Sequence, residues 1–254
     1  MLRQRVIPSL LLSRGGLVKT RKFANPKYVG DPVNAIRIFN QKEVDELIVL
    51  DIDASKNGKG PDYSLIELFA AECFMPLCYG GGIDSVDQAR ILFEMGVEKV
   101  SIQTGAFRDI DLITDIASRF GSQSVVASID VKKDLFGRMR LYEASKGSVK
   151  RESWQEYLKL VERAGAGEIY LNAVDRDGVM AGMDTKLIAA ATSQSTVPII
   201  ASGGVGSLED IAAGLQSGAS AVAAGAFFVF HGPHRAVLIT YPSPDEIDSV
   251  LRIS

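Results

Sequence analysis

Four features of this chain recur at one fixed spacing. Glu46 matches Glu168, Asp53 matches Asp175, Gly81-Gly82 matches Gly203-Gly204 and Gly96 matches Gly218, every pair 122 positions apart (168 − 46 = 122). A constant offset across four motifs implies one supersecondary pattern used twice, neither copy able to bury its apolar face alone. Within the copies, short apolar and β-branched runs at 5–11, 46–52, 75–79, 99–104, 124–130, 168–174, 197–202 and 219–225 are each followed by a turn and a helical pattern. Eight βα units with continuously apolar strands suit a closed parallel barrel better than an open sheet. The expectation is an α/β protein, a single (β/α)8 TIM barrel over residues 1–254, with half-barrels at about 1–122 and 123–230 and a divergent tail at 231–254. Helices are expected to start at Asp84-Ser85-Val86-Asp87-Gln88 and Ser207-Leu208-Glu209-Asp210, where capping side chains and early acids favour a helix N-terminus.

Charge narrows the function classes. The formal charge is −3, and lysines and arginines are spread along the chain, so no nucleic-acid or anionic-membrane partner is expected. The N-terminal apolar run is short and interrupted by Pro8, which suits neither a signal peptide nor a membrane span, and a cytoplasmic location is expected. Cys73 and Cys78 read as reduced core thiols. His231 and His234 flank Gly-Pro without a third ligand nearby, so neither a metal nor a cofactor is expected.

In CYGGGIDS and ASGGVGSLED, glycines follow a strand and lead into a helix. Absent Cβ atoms there let backbone N–H groups approach an anion at the positive end of a helix dipole. The neighbouring strands end in Ser101-Ile102-Gln103-Thr104-Gly105 and Ala223-Ala224-Gly225-Ala226, which complete two cradles with a hydroxyl and amides. Two cradles on one barrel mouth imply a ligand with a phosphate at each end. Asp130 ends an apolar strand at the same face, where a carboxylate is costly unless hydrogen-bonded or functional.

The segments VDELIVLDIDAS, YGGGI, GVEKVSIQT, SIDVKK, AGEIYLNAVDRDG and ASGGVGS resemble the cyclase subunit of imidazole glycerol phosphate synthase, a lyase of histidine biosynthesis that receives ammonia from a glutaminase. The resemblance runs from about Arg5 to Ala226 and implies roles for particular residues. Asp130 becomes one of two catalytic carboxylates, Lys19 a mobile-loop lysine that contacts substrate, and Asp51 and Asp177 polar residues of the site. Gly82, Thr104, Gly204 and Gly225 fall on the phosphate cradles, and Gln103 stands where the family has asparagine. The second catalytic aspartate is replaced by Leu11, which can neither give nor accept a proton, and losing one such group costs about two to four orders of magnitude in rate.

The opposite face keeps its charges. Arg5, Glu46, Lys99 and Glu168 open the first, second, fourth and sixth strands, and by resemblance they ring the gate through which ammonia enters from a docked glutaminase. The alternative is a salt-bridge plug that only closes the barrel floor. The tail after Gly225, in place of the family's longer terminal amphipathic helix, resembles a divergent paralogue that accompanies a glutaminase in bacterial surface-polysaccharide synthesis. The implied role is to conduct ammonia for an amidino sugar while holding a two-phosphate, sugar-like ligand, with weak cyclase activity of its own. The competing readings are a working histidine-pathway cyclase, a related phosphoribosyl isomerase and a binding scaffold.

Overall fold

A computed structural model describes residues 4–232 and 234–253. Eight parallel strands close on themselves: β1 (Arg5–Ser13), β2 (Leu47–Asp51), β3 (Leu77–Gly80), β4 (Lys99–Ile102), β5 (Val125–Lys133), β6 (Glu168–Ala173), β7 (Ile199–Ser202) and β8 (Ala221–Ala224). Neighbours in sequence are neighbours in space, and the circle shuts where Arg5 of β1 registers with Ala221 of β8. The fold is therefore an α/β TIM barrel, as the eight apolar runs predict.

Alternation along the strands divides the core. Val6, Leu10 and Leu12 of β1 point outward into the large apolar layer under the helices. Ile7 points inward, where it joins Ile48, Cys78, Val126, Tyr170, Ile200, Ala221 and Ala223 in a separate interior cluster. The helices begin as the sequence predicts. Ser85 and Ser207 are N-caps, each reciprocated by the residue three positions on, Gln88 and Asp210.

Three segments lie outside the eight βα units. The segment around Lys19, which the resemblance places on a mobile loop, forms an antiparallel hairpin of Gly16–Arg21 and Ala24–Gly30 that continues from β1. A second hairpin joins the end of β5 to Met139–Glu143. Beyond β8 the tail contains a two-residue ladder, Phe230–His231 with Ala236–Val237, and a helix at Pro244–Ile253. The Tyr241 hydroxyl donates to the Val6 carbonyl at 2.8 Å and fastens this tail to β1. The tail's last described element is this helix, whose start is marked by Ser243 accepting from the Glu246 amide.

Candidate functional site

The barrel interior is layered from floor to mouth. On the floor, Arg5 bonds Glu46 at 2.5 Å and also Glu168, while Lys99 bonds Glu46 at 3.0 Å and Glu168 at 2.7 Å. The four residues named from sequence therefore form a closed ring of alternating charge in which each cation touches both anions. Glu46 is 1% exposed, so its charge depends on these partners.

Above the ring lies the apolar interior cluster, and above that a layer of hydroxyls. Ser101 and Ser128 are 2.6 Å apart, and the Tyr170 hydroxyl sits 3.2 Å from Ser9 Oγ and donates to Ser202 Oγ at 2.9 Å. This layer escapes sequence reasoning. Its members are four serines and a tyrosine, one on each of five strands, and the only signal is that Ser101 lies two positions beyond Lys99 and Ser9 four beyond Arg5.

The mouth opens into a cleft of about 1160 Å³, part of it open to solvent. Of the expected site residues, Lys19, Asp51, Gly82, Gln103, Thr104, Asp130, Asp177 and Gly225 line it, and Gly204 does not. Leu11 and Leu50 also line it, as does Asn172, which registers with Asp130 on the neighbouring strand.

Gln103 donates to Asp130 at 2.7 Å through its amide nitrogen, and its oxygen accepts from the Ala144 backbone at 3.3 Å. Burial pushes the Asp130 carboxyl up to about 7; the Gln103 bond opposes this, the Asp177 charge adds to it, and the Asn172 amide opposes it. Asp177 is itself raised by burial, against its hydrogen bond from Thr20 at 2.9 Å and the nearby Lys19 charge. Asp51 is raised by burial too, although it accepts from the Asp53 and Ala54 amides at 2.8 and 3.0 Å.

Lys19 departs from the mobile-loop expectation. It lies on the hairpin strand Gly16–Arg21, is buried, and donates to the Ser9 carbonyl at 2.5 Å. Burial lowers its ammonium to about 8, with Asp177 opposing the shift. The physical reason is the hairpin: pairing with Ala24–Gly30 folds the segment back over the mouth and leaves the lysine pointing inward beside Gly225, where any Cβ would collide with its Nζ.

The two glycine turns are held differently. Gly82 has φ +73°, and a Cβ there would overlap the Lys59 carbonyl; its amide donates to Ser55 Oγ at 3.1 Å. Gly204 has φ +105° and packs against the Gly182 carbonyl instead of the cleft, while Gly206 and Ser207 give their amides to Asp210. The first cradle, with Gly81, Thr104 and Gly105, is thus open to the cleft, whereas the second presents Gly225, Ala226 and Ser202.

The histidine biosynthesis protein family matches residues 5–233. A relative in Pseudomonas aeruginosa, provisionally named imidazole glycerol phosphate synthase subunit hisF2, is 54% identical over 98% of this chain and 99% of its own length. The provisionally named subunit hisF3 of Vibrio vulnificus is 49% identical over 100% of this chain and 98% of its own length. Imidazole glycerol phosphate synthase subunit HisF of Dictyoglomus thermophilum is 40% identical over 91% of each chain. The chain belongs to the HisF-like imidazole glycerol phosphate synthase cyclase subunit family.

Two features of this HisF-like chain stand outside the sequence reading. Arg235, in the turn just before Ala236–Val237, donates to the Gly178 and Val179 carbonyls at 3.1 and 2.9 Å. It therefore braces the turn next to Asp177 from outside, while Lys22 donates its amide to the Asp177 carbonyl at 2.9 Å from inside. Among the described residues, no group of three His, Cys, Asp or Glu side chains is placed to hold a metal ion. No helix among them is long and apolar enough to cross a membrane.

Proposed function

We propose that this HisF-like chain is the synthase-type subunit of a glutamine-dependent amidotransferase. It docks a glutaminase on the floor of the barrel, conducts ammonia through the charged ring, and holds a two-phosphate, sugar-like ligand at the mouth. The observation that carries the reading is the contrast between the two ends. The floor keeps a complete charged ring, whereas at the mouth Leu11 faces Asp130 and offers no proton partner.

Two further observations support it. Phe74, 88% exposed, stands in the loop that leads into the start of β3, at the same end as the ring, and a large exposed aromatic beside an inlet suits an interface anchor. The interior above the ring is uncharged, and neutral ammonia is small enough to pass an apolar layer and then exchange hydrogen bonds with hydroxyls. The acceptor we favour is the precursor of an amidino sugar of a surface polysaccharide, a choice that rests on the resemblance of the tail.

A second reading, a working cyclase of histidine biosynthesis, draws on one observation. Lys19 is buried at the mouth with its ammonium lowered to about 8, close enough to neutrality to donate a proton in place of the missing aspartate. Complementation of a cyclase-deficient histidine auxotroph separates the two: growth supports the cyclase and its absence supports the amidotransferase subunit. Co-purification with the glutaminase subunit of the same organism tests docking, and a Glu46→Lys variant that binds as well as the unaltered chain would remove the ring from the interface.

A further inference from the structure

Between the ring and the cleft stands Tyr170. It is the next inward-facing position of β6 after Glu168, and its ring packs among Ile7, Ile48, Cys78, Val126, Ile200, Ala221 and Ala223. Its hydroxyl reaches Ser202 on β7, the adjacent strand, and Ser9 on β1, three strands round the barrel. A side chain rooted on β6 that touches β1 crosses the lumen. Ala221 and Ala223 of β8, the strand bypassed on the way, supply the room.

We propose that Tyr170 is an inner gate of the barrel, held shut by Ser9 and Ser202, so that the lumen is closed twice and ammonia reaches the cleft only when the phenol swings aside. This inference rests on the ammonia-conducting reading given above. Between the two closures lies the apolar interior cluster, and Cys78 marks it. That thiol is completely buried, and after burial itself the influences on it are the charges of Glu46, Lys99, Glu168 and Arg5, the whole ring. Cys78 therefore sits just above the floor and below the phenol, where it reports on access from the cleft.

The geometry assigns separate parts to the ring and the hydroxyl of Tyr170. The aromatic ring provides the obstruction, and the two hydrogen bonds fix it across the lumen rather than along the wall. A phenylalanine would keep the bulk and lose the latch; an alanine would lose both. The apolar layer also favours ammonia over ammonium between the closures, because an unpaired cation there would be costly.

The test uses the full chain in a Cys73→Ser background and follows methylthiolation of Cys78 by methyl methanethiosulfonate with intact-mass spectrometry. Reactivity of a thiol follows its access and ionisation, so Tyr170→Ala is expected to label at least about tenfold faster than the parent and Tyr170→Phe about threefold faster. Parent and Tyr170→Ala labelling at one rate, with both proteins melting cooperatively, would overturn the gate. Should Tyr170→Ala fail to fold, Tyr170→Phe decides alone, and an unchanged rate overturns the latch and the gate with it. Failure of the glutaminase to bind the parent chain is a separate result: it removes ammonia as the passenger, whereas equal labelling removes the gate and leaves conduction standing.

Discussion

Leu11 faces Asp130 across the mouth of the barrel, from the first strand to the fifth, an aliphatic wall opposite a carboxyl that burial pushes up to about 7. The pair defines what the cleft lacks. With the cyclase substrate and ammonium salt, the Leu11→Asp variant is expected to turn over at least about a hundredfold faster than the parent, because the second proton-transfer group is restored. Equal rates in a steady-state assay would mean that another residue, Lys19 foremost, already fills the role.

Asp130 also gives stability a pH dependence of known sign. Its folded pKa is raised to about 7 from about 4 in the unfolded chain, so the folded state is favoured with the proton on and loses ground as pH rises through that window. Asp130→Asn cannot ionise and escapes the loss. The variant's melting temperature relative to the parent should climb between about pH 4 and pH 7 and then level off. A constant difference across a calorimetric pH series would show that Asp130 ionises freely when folded.

In the charged ring, Glu46 is paired to both cations and almost fully buried. Glu46→Ala should cost roughly 3–5 kcal/mol in urea unfolding, since two partly buried cations are left with Glu168 alone. Lys99→Met removes one cation and leaves Arg5 bonded to both acids, so its cost should be smaller. An equal or larger cost for Lys99→Met would show that packing of the lysine stem outweighs the charges.

The first glycine turn, which we propose as a phosphate cradle, depends on one backbone shape. Gly82→Ala forces a Cβ at φ +73° against the Lys59 carbonyl and should lose more than about 1 kcal/mol of stability. Titration calorimetry with inorganic phosphate should find binding weakened at least about tenfold in this variant, because the amides no longer converge. Gly204→Ala should be as destabilising, yet leave phosphate affinity at the first cradle unchanged, since Gly204 lies off the cleft.

What the sequence reveals and what it conceals divide along physical lines. The eight strands are legible because parallel strands are covered on both faces and read as unbroken apolar runs. The ring is legible because each member opens such a run. The hairpin carrying Lys19 is not, since GLVKTRKFANPKYVG mixes basic and turn residues in a way that suits a mobile loop equally well. Burial of Lys19 depends on where that hairpin lies in space, and the side chain itself gives no hint, lysine being ordinarily a surface residue. Tyr170 reads as one more apolar strand residue until its hydroxyl is seen to meet Ser9, 161 positions away.

The junction of β1 with β8 governs the order in which this molecule can be made. Arg5, Val6, Ile7 and Pro8 leave the ribosome more than two hundred residues before their partners Ala221–Ala224, and the Tyr241 hydroxyl that meets the Val6 carbonyl arrives later still. Until β8 is made, β1 waits with one hydrogen-bonding edge bare, and a bare edge invites pairing with a neighbouring nascent chain.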